Sequence, residues 1–404
     1  MATIGRLETL IAVTGVILLA LGIRTGVAAL SPLAGSIELD VPLQGLALGI
    51  LGTVPPIAYA VSASFSPWFA RKFGLEGAVL AVCLVGVCAH VGRAISPNFV
   101  SLFLATSALM LAAGVGNVVL PGLVKFYAPN KIGPVTAAYG TAMAFSSAAP
   151  SVIGVWLAND FGWRISLGSW AVVSAIGAFP WIWMWVVGTA RATRGELTLE
   201  ALPVVRVAPN FFRSPTALSI MTIFGVSGCM AYSWFSVLPL VLVEVSGLSF
   251  EEAALGLGLF TIMGFPMSLL VPHFAIRSKW SGPLVSISVV LNSAGLIGLL
   301  SAPSFYPYLW VLLLSMGPLT FPLSLALISN RTANHLSALM LSGFVNKWGY
   351  IAAAAAPILV GLSRAMTGDW TLSLILLAVI TMFSIPSIFI LQREEMVDDE
   401  VFER

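Results

Sequence analysis

The sequence predicts an all-α integral membrane protein of twelve transmembrane helices. Three observations carry this. Of the 404 residues, 58% are apolar and only 9% charged, against about 25% charged in a soluble domain. The apolar residues fall into runs long enough to cross a bilayer. The basic residues between those runs are distributed asymmetrically.

A crossing helix needs roughly 20 apolar residues. Twelve segments qualify, at about 10–32, 43–66, 77–96, 98–122, 133–157, 165–188, 216–243, 251–275, 282–302, 307–329, 336–362 and 370–391. The first apolar run, Leu10 to Leu33, is too long for a signal h-region and contains Arg24, so it reads as a retained first span.

With the N-terminus placed in the cytoplasm, the inward segments hold Arg6, Arg71, Lys72, Lys125, Lys131, Arg191, Arg194, Arg206, Arg213, Arg277, Lys279, Arg331, Arg393 and Arg404, which is 14 of the 19 basic residues. The outward loops hold only Arg164 and Arg364, beside acids such as Glu38, Asp40, Asp160, Glu244 and Asp369. That bias predicts a multi-pass protein of a bacterial-type plasma membrane with both termini cytoplasmic. The organisation read from it is an N-terminal six-helix bundle (1–188), a cytoplasmic linker (189–215) with Pro203, Pro209 and Pro215, a C-terminal six-helix bundle (216–391), and an acidic cytoplasmic tail (392–404) expected to be solvated.

Cys83, Cys88 and Cys229 lie inside apolar runs, with no CxxC pair and no metal-ligand spacing, so disulfides and structural zinc are not expected. No Ser/His/Asp arrangement, paired carboxylates or nucleotide-binding loop is present, so the chain is not expected to be an enzyme or to need a cofactor. Nucleic acid is not an expected partner; the lipid bilayer is.

The two halves repeat. Span five and its exit read Pro150-Ser-Val-Ile-Gly154 and Gly162-Trp163-Arg164; span eleven and its exit read Pro357-Ile-Leu-Val-Gly361 and Gly368-Asp369-Trp370. Prolines, glycines and tryptophans match at an offset of 207. Pro32 matches Pro239 at the same offset, and Gly116-Asn-Val-Val-Leu-Pro121 in span four matches Gly317-Pro-Leu-Thr-Phe-Pro322 in span ten at 201. Two parallel six-span repeats joined by a long loop describe the major facilitator fold of two pseudo-symmetric halves, with a solute site near the bilayer midplane.

Charges inside the spans narrow the solute. Arg24 lies about 4–5 Å outward of the middle of span one, at 1.5 Å per residue, and Lys347 lies near the middle of span eleven. Each costs at least ~2.5–3.5 kcal/mol at that depth. No Asp or Glu occupies the central part of any span, so an anion arriving from solution is the expected counter-charge. Arginine suits bidentate recognition of a planar carboxylate-like ion, and lysine acts as a point charge. Polar neighbours share helical faces: Gly343, Lys347, Tyr350 and Ala354; Met110, Gly114, Asn117 and Pro121; Tyr139, Met143 and Ser146. Asn117, Tyr139 and Tyr350 read equally well as helix-to-helix hydrogen bonds. His90, His273 and His335 read as structural or solvated.

These residues resemble the major facilitator superfamily and, within it, the cyanate and 2-nitroimidazole transporter family, over nearly the whole chain. Gly22-Ile-Arg24-Thr-Gly26 stands where the family has Asn-Leu-Arg-Pro-Ala and keeps the arginine. Gly114-Val-Gly-Asn117-Val-Val-Leu-Pro121-Gly-Leu-Val-Lys125 matches its run leaving span four; Tyr139 follows in span five, and Tyr232 with Leu238-Pro239 matches span seven. Ser342-Gly343-Phe-Val-Asn346-Lys347-Trp-Gly349-Tyr350 resembles its span-eleven motif, with Asn346 where glutamine is usual and Lys347 as an added charge. The loop between spans two and three, Phe69 to Gly74, keeps the basic pair Arg71-Lys72 and the glycine and lacks the superfamily's aspartate. The resemblance implies that spans one, four, five, seven and eleven line the cavity. Its implied substrate-binding residues are Arg24, Asn117, Tyr139, Tyr232, Asn346, Lys347 and Tyr350, with Arg71 and Lys72 in the gating loop.

The resulting expectation is a secondary active transporter of a small anionic, weak-acid or cyanate-like solute, acting as a monomer by alternating access, with proton coupling as the simplest route to accumulation. The alternative is an efflux carrier for neutral or cationic apolar compounds such as nitroimidazole-like drugs. That alternative accounts for the 12 Trp and 23 Phe.

Overall fold

In hydrocarbon a backbone has no water to bond, so each apolar run closes its hydrogen bonds internally as a helix. The computed structural model describes residues 6–30, 33–41, 46–193, 210–275 and 278–402. Among them, eleven helices are long and apolar enough to cross a membrane. One of these, Val54–Ala94, carries two spans, because the chain turns at Gly74, whose φ of 78° only glycine adopts cheaply. The described chain therefore makes twelve crossings, as the hydropathy pattern predicts.

Span one is Arg6–Ala28; spans two and three share Leu46–Ala94; span four is Phe99–Tyr127. Span five runs from Ile132–Ala149 through a π turn at Pro150–Gly154 into Val155–Phe161, and span six is Trp163–Thr193. Span seven is Pro215–Ser246 and span eight Phe250–Ile262 with Gly264–Ala275. Span nine is Ser281–Ser301. Span ten is interrupted, Pro307–Leu314 and Thr320–Asn330 flanking a 3-10 turn at Gly317–Leu319. Span eleven is His335–Thr367, and span twelve Thr371–Met382 with Ile385–Ile390. Helix starts use short polar caps. Asn98 and Ser249 form capping boxes, and Ser214 caps span seven with Pro215 in the first turn.

The chain divides into two compact units. One takes in Met1–Pro209 and Thr332–Lys347, the other Asn210–Arg331 and Trp348–Arg404. Span six continues to Thr193, and 194–209 of the linker lies outside the described residues. In the first unit, span one packs on spans four, five and six, and the joined pair two and three packs on four and six. An apolar cluster of Leu33, Ile37, Val41, Leu102, Trp163, Leu167 and Trp170 fills one end. In the second unit the core gathers Met230, Trp234, Leu238, Phe260, Leu296, Leu299, Leu314 and Trp370.

The repeat is visible in the corners of each unit. Gly162 and Gly368 both take positive φ, 85° and 80°, at the turn between the last two spans of their unit. In the first unit Trp163 donates its indole N–H to Asp40 at 3.0 Å, and Arg164 pairs with Asp40 at 3.6 Å. In the second Trp370 donates to Glu244 at 2.9 Å, and Arg364 pairs with Glu244 at 2.6 Å. Both pairs are solvent-exposed, so they add little stability. They show that the outward acids and arginines, which look unrelated in sequence, form matched clasps.

The tail is not a solvated end, which corrects the reading of its acidity. Val397–Phe402 is a helix with Val397 and Glu400 buried. Glu400 accepts from the hydroxyl of Ser214, from the amide of Thr216 at 3.1 Å and from its hydroxyl at 2.9 Å, so an acid sits on the first turn of span seven, where the helix dipole favours negative charge.

Candidate functional site

The polar part of span one is built by glycines that let neighbouring helices close in. A Cβ on Gly26 would lie 2.5 Å from Leu109 and 2.7 Å from Met110 of span four, and one on Gly116 would lie 3.0 Å from Ile23. A Cβ on Gly114 would fall 1.9 Å from the Ser62 hydroxyl and 3.0 Å from Tyr59 Cα. Spans one, two and four thus meet around residues 22–26.

That packing places Tyr59 beneath Arg24. The guanidinium carbon lies 5.6 Å from the centre of the Tyr59 ring, a cation–π contact worth roughly 0.5–2 kcal/mol. Tyr59 is fully buried, and its hydroxyl donates to the Ile23 carbonyl at 3.4 Å. Thr25 donates to the Gly22 carbonyl at 2.9 Å, and Arg93 of span three donates to the Gly26 carbonyl at 3.2 Å. Arg24, itself only partly buried, is held on an aromatic face in a stretch of span one fixed from two sides.

Replacing Gly114 tests this packing. The Ser62 hydroxyl can rotate away from a new methyl, but the Tyr59 backbone cannot. Gly114→Ala is expected to cost about 1–2 kcal/mol by overpacking, read as a fall of several degrees in thermal midpoint, and to weaken solute binding by displacing Tyr59. A midpoint equal to the parent protein's would show that span two accommodates the methyl and that Gly114 does not position Tyr59.

The first unit also holds Asn117, Tyr139, Asn346 and Lys347; Tyr232 and Tyr350 belong to the second. Asn117 is buried and Tyr139 fully so. Asn346 spends its amide on its own helix, donating to the Ser342 carbonyl at 2.8 Å and hydroxyl at 3.2 Å. Lys347 is partly exposed. Gly343 lies against span two, where a Cβ would meet Pro67 at 2.7 Å. Tyr350 is buried with its ring edge-on to Phe224, centroids 5.2 Å apart, and Tyr232 is partly exposed. Arg71 and Lys72 are exposed beside the Gly74 turn, with Lys72 over the Trp68 ring at 5.2 Å.

Sequence reasoning missed Tyr59 and Arg93. An aromatic in an apolar span reads as packing, so nothing local marks Tyr59. Arg93 did carry a signal, since it follows His90 by three residues inside span three. No cluster of three or more His, Cys, Asp or Glu side chains able to hold a metal occurs among the described residues.

A family model described as the Major Facilitator Superfamily matches residues 13–357. The chain belongs to the major facilitator superfamily. It is similar to the 2-nitroimidazole transporter of Escherichia coli (strain K12), 27% identical over 92% of this chain and 93% of that one. It is also similar to the cyanate transport protein CynX of the same organism, 24% identical over 88% and 90%. Among solved structures, its fold is similar to that of the proton:xylose symporter XylE, with a TM-score of 0.72, 13% identity and 98% coverage of both chains. This superfamily member is a multi-pass secondary transporter of small molecules, not an enzyme.

Proposed function

We propose that this transporter carries a small monovalent anion, a carboxylate or cyanate-like ion, by alternating access. The observation that supports this reading is Arg24, a guanidinium set within a membrane span on the face of Tyr59. A fixed cation at that depth is costly to place there and matches a planar anion through paired N–H donors. The cyanate transport protein among its relatives is in keeping with such a solute. Lys347 supplies a second positive charge in the same unit, and Asn117 and Tyr139 supply neutral polar groups beside it. Tyr232 and Tyr350 are the second unit's contribution.

Importing an anion against an inside-negative potential costs ~2.3 kcal/mol per 100 mV. Accumulation therefore needs a cotransported cation, most simply a proton carried by a weak-acid solute. The charge asymmetry supports a plasma-membrane protein with both termini cytoplasmic, and the site is complete within one chain, so a monomer suffices.

A second reading, efflux of neutral apolar compounds, is favoured by the relative named as a 2-nitroimidazole transporter. One panel separates the two. The full-length protein should be thermally stabilised by cyanate, formate, acetate or benzoate and not by 2-nitroimidazole or tetraphenylphosphonium. Stabilisation by the second pair alone would replace the anion reading with the efflux one.

A further inference from the structure

Span three carries a second buried cation that the substrate reading does not use. Arg93 and His90 have no solvent exposure and, three residues apart, share one helical face. The Arg93 guanidinium makes one bond, to the Gly26 carbonyl. Its Nε and Nη2 groups and both ring nitrogens of His90 have no hydrogen-bond partner. Such orphaned donors are rare, and each calls for an explanation.

An acid does not supply it. Among the described residues of this unit, the buried polar and charged side chains include no Asp or Glu. Asp40, toward the same end, is exposed and already engaged by Trp163 and Arg164. Water could satisfy the N–H groups but would leave the buried charge uncompensated, which is the larger cost.

Space decides what else fits. One helical turn further in, below Gly26 and His90, spans one, three, four and six enclose a cavity of about 20 Å³ lined by Gly22, Gly86, Cys83 and Ser174. That is room for one water or one monatomic ion, and not for an organic anion. The glycines keep it open, since a Cβ on Gly86 would lie 2.9 Å from the Ser174 hydroxyl.

We propose that Arg93 and His90 form a halide site inside the first unit, binding one chloride-like anion on Nε and Nη2 of Arg93 and the N–H of a neutral His90. The site is separate from Arg24, which lies over Tyr59, and does not rest on the assignment of the transported solute. Its occupant neutralises the span-three cation and locks span three to span one at Gly26.

The test compares full-length protein in 100 mM sodium chloride and 100 mM sodium gluconate, gluconate being too large to enter. With a Kd of about 1 mM, chloride is expected to raise the thermal midpoint by roughly 5 °C. Arg93→Met should abolish that difference and Arg24→Ala should keep it. Equal midpoints for the parent protein, the result of a site filled by water, would overturn the proposal, as would a chloride effect retained in Arg93→Met. If Arg93→Met does not fold, crystals of the parent protein soaked in bromide decide. An anomalous peak about 3.3 Å from Arg93 Nε or Nη2 is expected, and its absence overturns the site.

Discussion

Arg24→Ala is expected to reduce uptake of the stabilising anion into proteoliposomes by about 100-fold, mainly through KM, with the protein still folded. Truncating one partner of a desolvated, hydrogen-bonded charge pair costs about 2–5 kcal/mol. At 1.4 kcal/mol per tenfold, that range spans roughly 30-fold to several thousand-fold. The folded state is expected to tolerate the change, because Arg24 is partly exposed and its described contact is the Tyr59 face. Arg24→Lys should recover only part of the loss, since a point charge keeps the attraction but not the paired donors or the flat stacking on the ring. Tyr59→Leu removes the aromatic platform and should cost more than Tyr59→Phe, which removes only the bond to the Ile23 carbonyl. The decisive comparison is binding of cyanate or a carboxylate by Arg24→Ala. Affinity within twofold of the parent protein would remove Arg24 from the site.

The parts of this structure that the sequence displays are those set by the solvent or by the chain's own repeat. A bilayer demands about twenty apolar residues per crossing, so the spans are written almost directly. Gly162 with Trp163 and Gly368 with Trp370 repeat because each unit turns the same corner with the same positive-φ glycine. Arg24 stands out because a charge inside an apolar run is expensive. What the sequence conceals depends on how distant helices pack. Tyr59 becomes the platform for Arg24 only because Gly114 and Gly26 let spans one, two and four close together. Arg93 sits close enough to the end of its span to pass for an interfacial residue, and only the packing of span one over it buries the charge. Asn346 has the right residue type in the right motif, yet Ser342 one turn earlier occupies its amide. Its side chain is thus less available to a solute than motif position implies.

The tail shows the same limit with a larger energetic consequence, and Arg331→Ala measures it. Arg331 lies in the corner between spans ten and eleven and is almost completely buried. Its guanidinium donates to the carbonyls of Arg393, Glu395 (3.2 Å) and Leu391 (3.1 Å), and its own carbonyl accepts from the amide of Val397 at 2.9 Å. Burial pushes the guanidinium pKa below the usual arginine value, and the nearby Glu394, Glu400 and Glu395 oppose that shift. The acidic run, read from sequence as a bid for solvent, is therefore part of what makes a buried arginine tolerable. Removing the side chain strips three carbonyls of a charged donor. Hydrogen bonds to charged groups contribute about 1.5–3 kcal/mol each, with incomplete additivity, so a loss of roughly 3–5 kcal/mol is expected. For a unit of this size that lowers the midpoint by roughly 10 °C. Glu400→Gln should cost less, about 1–2 kcal/mol, because the amide keeps the volume but turns an N–H toward the donors of Ser214 and Thr216. Both variants should also make 391–402 cleavable by protease while spans seven to twelve remain protected. A tail equally resistant in Arg331→Ala would mean that burial of Val397 and the C-terminal helix, not the arginine, holds it in place.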